Sequence, residues 1–528
     1  MKLYRLDGTV SYMFSPSSTQ APRSAQPVKG QAAPWRDWTA LALLMFPVLL
    51  VAVDNTALTF ALPEIARSLD VGGVQLLWIV DAYPLVLAAL LVSMGNLGDR
   101  IGRRRLLLLG STGFAAVSAA TAFAPSAEWL IAGRAGLGVF GAMLMPSTLS
   151  LIRNIFTDPN RRRLAIAVWA AGFSGGAALG PIFGGWLVEH FWWGAVFLVA
   201  AFLLLPLLAF GRVLIPESKD ANPGRVDVPS ILLSVVTMAP FVYGIKEFAV
   251  HGFGASAAAF MGFGVVMGII FVRRQQRIES PMLDVSLFKN KVFSTAIVAN
   301  VLSLFSMTGF IYFFAQQLQL VEGQSPMEAG IAMIPALLAT VIAGLLVVPL
   351  VKRIQPGFVV AAGLTLSGVG YLIVVVGDHG SGPVFLLSAL TVLAVGVGAA
   401  ETISNDLILA SVPADKSGAA SAISETGYEL GSLLGTAVLG SILTASYQHN
   451  LVIPDGVSTQ AAGKSTETLA GAVDAAAALP APLSEALTVA ARTAFESGVH
   501  ITAAIGLVLM AGAAVLAAVV LRRVPKAQ

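Results

Sequence analysis

Long apolar segments recur along the whole chain, and they constrain its fold more than any other feature. A helix needs about 20 apolar residues to cross the hydrocarbon core of a bilayer. Only 12% of the 528 residues are charged, about half the share found in soluble domains. We therefore predict fourteen membrane-spanning helices, at roughly 38–62, 75–97, 105–124, 128–152, 163–187, 192–211, 229–248, 255–273, 292–318, 327–350, 358–376, 383–409, 418–445 and 499–522.

The Lys and Arg residues are distributed unevenly between alternate loops. If the N-terminus lies inside, the predicted inner segments carry 27 of the 32 Lys and Arg residues. The predicted outer segments carry three, Arg67, Lys464 and Arg492, whereas Arg134 and Lys246 fall within spans. An excess of positive charge in cytoplasmic loops is the rule for membrane proteins. The pattern therefore favours an even number of spans with both termini in the cytoplasm.

Histidine, cysteine and net charge exclude several kinds of site. The chain has no cysteine, and its net charge of +3 is too small to suggest nucleic-acid binding. All histidines fall at predicted outer loops or outer helix ends, so neither a histidine proton relay nor a metal site is predicted. They are His190, His251, His379, His449 and His500.

Two segments lie outside the predicted spans. Residues 1–37 are polar and lack the apolar run of a signal peptide, and we predict a disordered cytoplasmic tail. Residues 446–498 form a long, Ala-rich outer loop. Within it, LSEALTVAARTAFESG (483–498) is typical of an amphipathic helix with Ser484 as its N-cap. We expect a helical hairpin over the outer mouth.

Two Gly-rich motifs punctuate the first half of the chain. In GNLGDRIGRRR, residues 95–105, glycine permits a tight inner turn, and Asp99 is placed to cap a helix or to pair with a nearby arginine. In GFSGGAALGPIFGG, residues 172–185, glycine and proline permit a kink and close backbone contact. A topology anchor and ordinary small-residue packing are the simpler alternatives. The candidate gating residues are Gly95, Asp99, Arg100, Gly102, Arg103, Gly176, Gly180, Pro181, Gly184 and Gly185.

These motifs and three others resemble those of a known family. The loop at 95–105 resembles the signature loop of the major facilitator superfamily, and 172–185 resembles its antiporter motif. The segments VAVDNTALTFALP (51–63), LLWIVDAYPLVLA (76–88) and LIAGRAGLGVFGA (130–142) are similar to motifs of its fourteen-helix drug:proton antiporters. The resemblance implies two six-helix bundles around a central cavity, at 38–211 and 292–523. Residues 212–291 would then carry two extra helices and a cytoplasmic linker.

Three charged residues of the first bundle share one depth. Asp54, Asp81 and Arg134 lie about six to eight residues from the predicted outer ends of their spans, on the order of 10 Å below the surface. In the implied fold these spans are neighbours, so Arg134 is expected to be the counter-ion of Asp54 or Asp81. We predict that the three couple proton movement to transport. A fixed ion pair that only locks the bundle is the alternative.

Three carboxylates of the second bundle form a deeper group. Glu401, Glu425 and Glu429 lie at a depth where this bundle has no Lys or Arg, and the last two share a helix face. An unpaired carboxylate can bind a proton or an organic cation, but not both at once. We predict that the three bind substrate; a purely structural pair at 425 and 429 is the alternative. Tyr428, Trp78 and Tyr83, through cation–π attraction, and Asn405 complete the predicted site.

The resemblance implies a function. We expect a multi-pass protein of the bacterial inner membrane that confers antibiotic resistance by exporting lipophilic cations in exchange for protons. Quaternary ammonium compounds and dyes are the expected substrates, with fluoroquinolones as a further candidate. The energy source would be the proton gradient, with no cofactor or metal, and the protein would act as a monomer without nucleic acid. An exporter of an endogenous metabolite or lipid, or a membrane-embedded enzyme, is the alternative.

Overall fold

The computed structural model describes residues 34–219, 227–251, 254–278, 281, 283–377, 383–413 and 417–523. Residues 1–33 of the predicted tail lie outside this part of the chain, and the first helix begins at Pro34. The described residues form helices and connecting turns, with no strand among them. The prediction of an all-helical membrane protein is confirmed.

Long helices follow the predicted apolar segments in order. The helices of the described residues are α1 (Pro34–Leu69), α2 (Gly73–Ile101), α3 (Arg103–Thr121), α4 (Ala127–Ile155), α5 (Pro159–His190), α6 (Ala195–Leu214), α7 (Val228–His251), α8 (Ala255–Gln275), α9 (Lys291–Gln316), α10 (Pro326–Ala332), α11 (Ile334–Leu350), α12 (Pro356–Val376), α13 (Pro383–Ala410), α14 (Ser417–Leu434), α15 (Ser441–Asn450), α16 (Thr459–Glu467), α17 (Leu469–Ala477) and α18 (Ala481–Val520). A π-helical turn, Gly435–Gly440, joins α14 to α15.

Twelve helical segments within the described ranges are long and apolar enough, by length and composition, to span a bilayer. The helices α3 and α5 are not among them. Three arginines begin α3, and α5 carries arginines in its first turns and a run of glycines. The number of fourteen spans therefore stays a prediction.

The long helices pack into two groups. In the N-half, α1–α6, helix α1 packs on α5 and α6, and α4 packs on α2 and α3. In the C-half, α9–α18, helix α13 packs on α9, α11 and α12, and α18 packs on α12 and α15. The helices α7 and α8 pack on each other, and α7 also contacts α2 and α15. Helix α7 thus lies where the two halves meet.

The antiporter-like motif brings α5 onto the backbone of α1. A Cβ atom on Gly176, Gly180 or Gly184 would lie only 3.1, 3.0 or 2.7 Å from a carbonyl oxygen of α1. Those oxygens belong to Leu49, Val53 and Ala57. Because the three glycines are four residues apart and have no side chains, they form one continuous groove along α5, into which α1 packs. Close packing of this motif, expected from its small residues, is therefore observed.

The long outer loop differs from the predicted hairpin. Two short helices, α16 and α17, cover 459–477, but residues 483–498 belong to α18 and continue directly into the last span. Ser484 is not an N-cap, because α18 starts at Ala481 with Pro480 in the cap position. The apolar face of this extension is buried, with Leu487 and Phe495 at 3% exposure or less. Since no Gly-Pro break separates it from the span, the helix propagates without interruption.

Ion pairs tie α16 and α17 to the turn between α1 and α2. Lys464 donates to Asp70 at 2.7 Å, and Arg67 lies 3.1 Å from Asp474. The hydrogen bond to Asp70 raises the pKa of Lys464, so this lysine stays charged in neutral solution. Tyr447 also donates to the carbonyl oxygen of Ser465 at 2.7 Å. We call this group of contacts the outer latch; its ion pairs are exposed and individually weak.

We predict that replacing residues 459–477 by a short Gly-Ser linker leaves the protein folded but loosens its outer side. A cysteine at Thr59 would then react faster with an impermeant maleimide added from outside. Because the chain has no cysteine of its own, the labelling reports this one position. Lys464→Ala, which removes one ion pair and keeps both helices, should give a smaller effect. Unchanged labelling would make the loop a passive appendage.

Candidate functional site

The predicted ion pair of the N-half is formed between α4 and α1. Arg134 donates to Asp54 at 2.6 Å, and both side chains are less than 5% exposed. The guanidinium also donates to the carbonyl oxygen of Ile79 on α2 at 3.1 Å, and lies 4.6 Å from the centre of the Tyr83 ring. Of the two partners that the sequence left open for Arg134, the structure selects Asp54. One cation therefore connects α1, α2 and α4.

Asp81 pairs with a residue that sequence reasoning missed. Lys246 of α7 places its ammonium 3.0 Å from Asp81 Oδ2 and 4.0 Å from the centre of the Trp78 ring. Both charged side chains are at most 1% exposed. The signal was present in the sequence, since Lys246 is a lone cation within an apolar span. Its place in α7, one of the two extra helices, gave no reason from the sequence to expect it beside α2.

A cavity of about 190 Å³ lies between the N-half and the C-half. It is bounded by α1 and α5 on one side and by α9, α11, α13 and α14 on the other. Of the residues that line it, Glu401 alone is charged, and Tyr428 packs edge-on against Phe173 at 6.2 Å. The other lining residues are Thr56, Thr59, Ala177, Leu304, Met307, Thr308, Ile311, Leu337, Thr340, Val341, Val397 and Ser432.

Glu425 and Glu429 lie beside this cavity rather than in its wall. Glu425 is close enough to interact electrostatically with both Glu401 and Glu429. Glu429 is 3% exposed and also within electrostatic reach of Tyr83 on α2. None of the ion pairs and hydrogen bonds found within the described ranges involves these three carboxylates. The deep acidic group is therefore assembled as predicted, but Glu401 is its member at the cavity.

Of the other four residues predicted to bind substrate, one lines the cavity and three lie elsewhere. Tyr428 lines the cavity, whereas Trp78 and Tyr83 face the protein's own cations on Lys246 and Arg134. Asn405 accepts hydrogen bonds from Ser424 at 2.8 Å and from Asn300 at 3.3 Å, which crosslinks α13, α14 and α9. Trp78 and Tyr83 do not line the cavity with Tyr428, so their role in substrate binding stays a prediction.

The signature-like loop at 95–105 is held by internal polar contacts. Arg103 pairs with Asp99 at 2.5 Å, which is the pairing expected for Asp99. Gly102 has φ +108°, a conformation that favours glycine, and the carboxyl group of Glu217 lies against it. Arg100 is exposed, and Gly95 lies near the ring of Pro146 on α4. The segment after α6 thus supports the turn between α2 and α3.

The antiporter-like motif also connects the two halves. A Cβ atom on Gly185 would collide with the carbonyl oxygen of Pro326 at the start of α10, and would lie 2.7 Å from Cα of Met327. A Cβ atom on Gly330 would likewise collide with the carbonyl oxygen of Pro181. Backbone therefore meets backbone where α5 and α10 come together. Together with the outer latch, this contact closes the predicted outer side.

We predict that Gly185→Ala weakens closure of the outer side, because the backbone of α10 cannot move away as a flexible side chain could. The added methyl group should increase maleimide labelling of a cysteine at Thr59 from outside by about tenfold, as expected for overpacking that costs 1–3 kcal/mol. Gly175→Ala is the matched control, since a Cβ there meets nothing within 4 Å. Equal labelling of the two variants would show that this contact does not control closure.

Known proteins resemble this chain over most of its length. Residues 44–436 match the family described as Major Facilitator Superfamily. The chain is 54% identical over 490 residues to "Multidrug efflux pump LfrA" of Mycolicibacterium smegmatis, covering 93% of this chain and 97% of the relative. It is 34% identical over 462 residues to "Methyl viologen resistance protein SmvA" of Salmonella typhimurium, covering 87% and 93%.

A solved structure has a similar arrangement of helices. It is that of a bacterial homologue of the human lysosomal transporter Spinster in an inward-facing, unoccupied conformation, with a TM-score of 0.64. The match covers 93% of this chain and 99% of that one, at 17% sequence identity. At such low identity the similarity concerns the fold alone.

Proposed function

This chain belongs to the major facilitator superfamily, and from that premise we propose that it is an efflux pump that exports lipophilic organic cations in exchange for protons. The observation that carries the proposal is the cavity between the halves, with Glu401 and Tyr428 in its wall. Because this family consists of transporters, membership in it argues against the alternative of a membrane-embedded enzyme.

The charge at the cavity favours a cationic substrate. Glu401 faces the cavity, and Glu425 and Glu429 add two carboxylates behind it without any Lys or Arg paired to them in the described structure. A buried carboxylate needs either a proton or a cation nearby. A substrate cation and protons would therefore compete for this group, and such competition is the basis of exchange.

The residues that line the cavity favour lipophilic substrates. Most of its wall is aliphatic or aromatic, and polar contacts come from hydroxyl groups such as those of Thr56, Thr308 and Ser432. Apolar walls with few polar groups bind ligands of varied shape because little of the interaction depends on fixed hydrogen-bond geometry. The names of the two relatives, a multidrug efflux pump and a methyl viologen resistance protein, support transport of drugs and dyes.

Proton coupling is proposed for the buried pair in the N-half. Asp54 can accept a proton only if Arg134 loses its counter-ion, so protonation would loosen the connection between α1, α2 and α4. Asp81, which the sequence grouped with them, is paired with Lys246 and extends the network to α7. We further propose a monomer in the bacterial cytoplasmic membrane, with both termini inside and the proton gradient as its energy source.

Transport into everted membrane vesicles tests the function directly. Vesicles that contain the protein should accumulate ethidium when respiration acidifies their lumen, and nigericin should stop the uptake by collapsing the pH gradient. Vesicles prepared in the same way from cells that lack the protein serve as the control for passive binding. Uptake that requires a Na⁺ gradient, and is indifferent to nigericin, would overturn proton coupling. An absence of uptake for several lipophilic cations would overturn the proposed substrate class.

A further inference from the structure

The ammonium group of Lys246 occupies surroundings that suit a cationic ligand. It lies 3.0 Å from a carboxylate oxygen of Asp81 and 4.0 Å above the indole ring of Trp78. Within the described residues, Asp81 has no hydrogen-bond partner other than Lys246. A carboxylate with an aromatic face beside it is the arrangement that proteins use to bind alkylammonium ions.

Aromatic rings continue from this position towards the outside of the helix bundle. The ring centres of Trp78 and Tyr243 are 6.3 Å apart, and those of Tyr243 and Phe260 are 4.6 Å apart. Tyr243 and Phe260 are 39% and 43% exposed. Because α7 and α8 lie at the periphery, these rings would meet the lipid. A lipophilic cation dissolved in the membrane could approach Asp81 along them.

The position is separate from the central cavity. None of Trp78, Asp81 and Lys246 lines that cavity. A small apolar cluster of α2, α7 and α14 packs around Trp78, with Leu85, Val242, Leu433 and Ala437 at its centre. Helix α14 therefore has acidic groups on two sides: Glu401 and its neighbours on the cavity side, and Asp81 on the α7 side.

The outer part of α7 has both a hinge and room to move. Ser234 donates to the carbonyl oxygen of Ala89 on the inner side of Pro240, whereas Lys246 contacts Asp81 on its outer side. Proline removes one helical hydrogen bond and permits bending at that point. Beyond it, Ile245 and Phe248 of α7 and several residues of α15 line a cavity of about 470 Å³. A swing of this part of α7 would withdraw Lys246 from Asp81.

We propose that Asp81 and Trp78 form a second cation-binding site, which Lys246 fills as a tethered ligand in the conformation described here. Its external ligands are lipophilic ammonium or phosphonium ions. The proposal depends on the efflux function only for the natural ligand, because the site itself is defined by binding. Lys246 then determines specificity: while it is in place, Asp81 is neutralised and substrate cations meet only the central glutamates.

Removing the tethered cation tests the site. Lys246→Met keeps most of the length of the side chain but removes its ammonium group and leaves Asp81 without its partner. Purified protein should then bind tetraphenylphosphonium about tenfold more tightly or at one additional site. The double variant Asp81→Asn, Lys246→Met should lack this gain, and Lys246→Arg should behave as the unmodified protein. Isothermal titration calorimetry gives both affinity and stoichiometry. A gain that persists in the double variant, or no gain in Lys246→Met, overturns the proposal.

A cysteine in place of Lys246 gives a second test that does not depend on the Met variant. Reaction of Lys246→Cys with 2-aminoethyl methanethiosulfonate forms a disulfide and releases methanesulfinate, which restores an ammonium group beside Asp81. Tetraphenylphosphonium should slow this reaction about tenfold, and Asp81→Asn should remove the protection. Labelling that is equally fast with and without the phosphonium ion contradicts the site. Asp81-dependent binding without efflux would support the second cation site and overturn the proposed efflux function. Efflux without Asp81-dependent binding would support the efflux function and overturn the second site.

Discussion

Replacement of Asp54 by Asn is expected to abolish efflux driven by a pH gradient, with a loss of about 100-fold or more in initial rate. The amide cannot exchange a proton, and it leaves the buried guanidinium of Arg134 without its counter-ion. Removing one partner of a buried pair costs about 3–5 kcal/mol. Everted vesicles with ethidium as substrate give the rate, and the folded yield is measured beside it.

Three further variants separate coupling from stability in this experiment. Asp37→Asn changes a carboxylate at the start of the same helix and should transport normally. Asp54→Glu keeps a titratable group and should retain partial activity. If Asp54→Asn fails to fold, the double variant Asp54→Asn, Arg134→Gln removes both charges and should fold without transporting. Normal efflux by folded Asp54→Asn would show that the pair only locks the bundle.

Glu425→Gln is expected to impair export of a divalent cation more than export of a monovalent one. Glu401 meets the cavity directly and can balance one charge, whereas Glu425 lies behind it and becomes important when a second charge enters. Loss of that second carboxylate should reduce efflux of methyl viologen, a dication, by about tenfold or more, because an unbalanced charge would leave water. Efflux of ethidium should fall by about threefold or less.

Glu401→Gln and Glu429→Gln are the comparisons for this prediction. Each is expected to impair both substrates, Glu401 because it lines the cavity and Glu429 because it is buried between α14 and α2. Ser432→Ala changes a lining hydroxyl without changing charge and should affect both substrates little. Losses that are equal for both substrates and follow the folded yield would mean that the acidic group only stabilises α14.

Much of the helical framework follows from local rules. Apolar runs of about 20 residues located the long helices, because the bilayer thickness fixes how long such a run must be. Asp99 and Arg103 paired as expected because a separation of four residues places side chains together on one helix face. The glycines of α5 packed as expected because four-residue spacing places them in one continuous groove. These features depend on residues close together in the chain.

Orientation and distant partners were predicted less well. Ser484 has the chemistry of an N-cap, but helix propagation through 483–498 placed it inside α18. Trp78 and Tyr83 were predicted to face a substrate cation, and in this conformation each faces a lysine or an arginine from another helix. Propensity and composition give no information about which helix will lie opposite a given side chain.

The sequence by itself determined that this chain is a helical membrane protein, and which acidic residues lie deep within it. Both follow from solvation. A segment of apolar residues lies in the bilayer, and a charged side chain within such a segment costs free energy because it leaves water. Only the tertiary structure decided how those charges pair. Arg134 could have met Asp54 or Asp81, and the positions of α1 and α7 assign Asp54 to Arg134 and Asp81 to Lys246. Pairing depends on helix rotation and on contact between residues that are 80 positions apart for Asp54 and Arg134 and 165 apart for Asp81 and Lys246. Hydropathy along the chain is insensitive to such contacts.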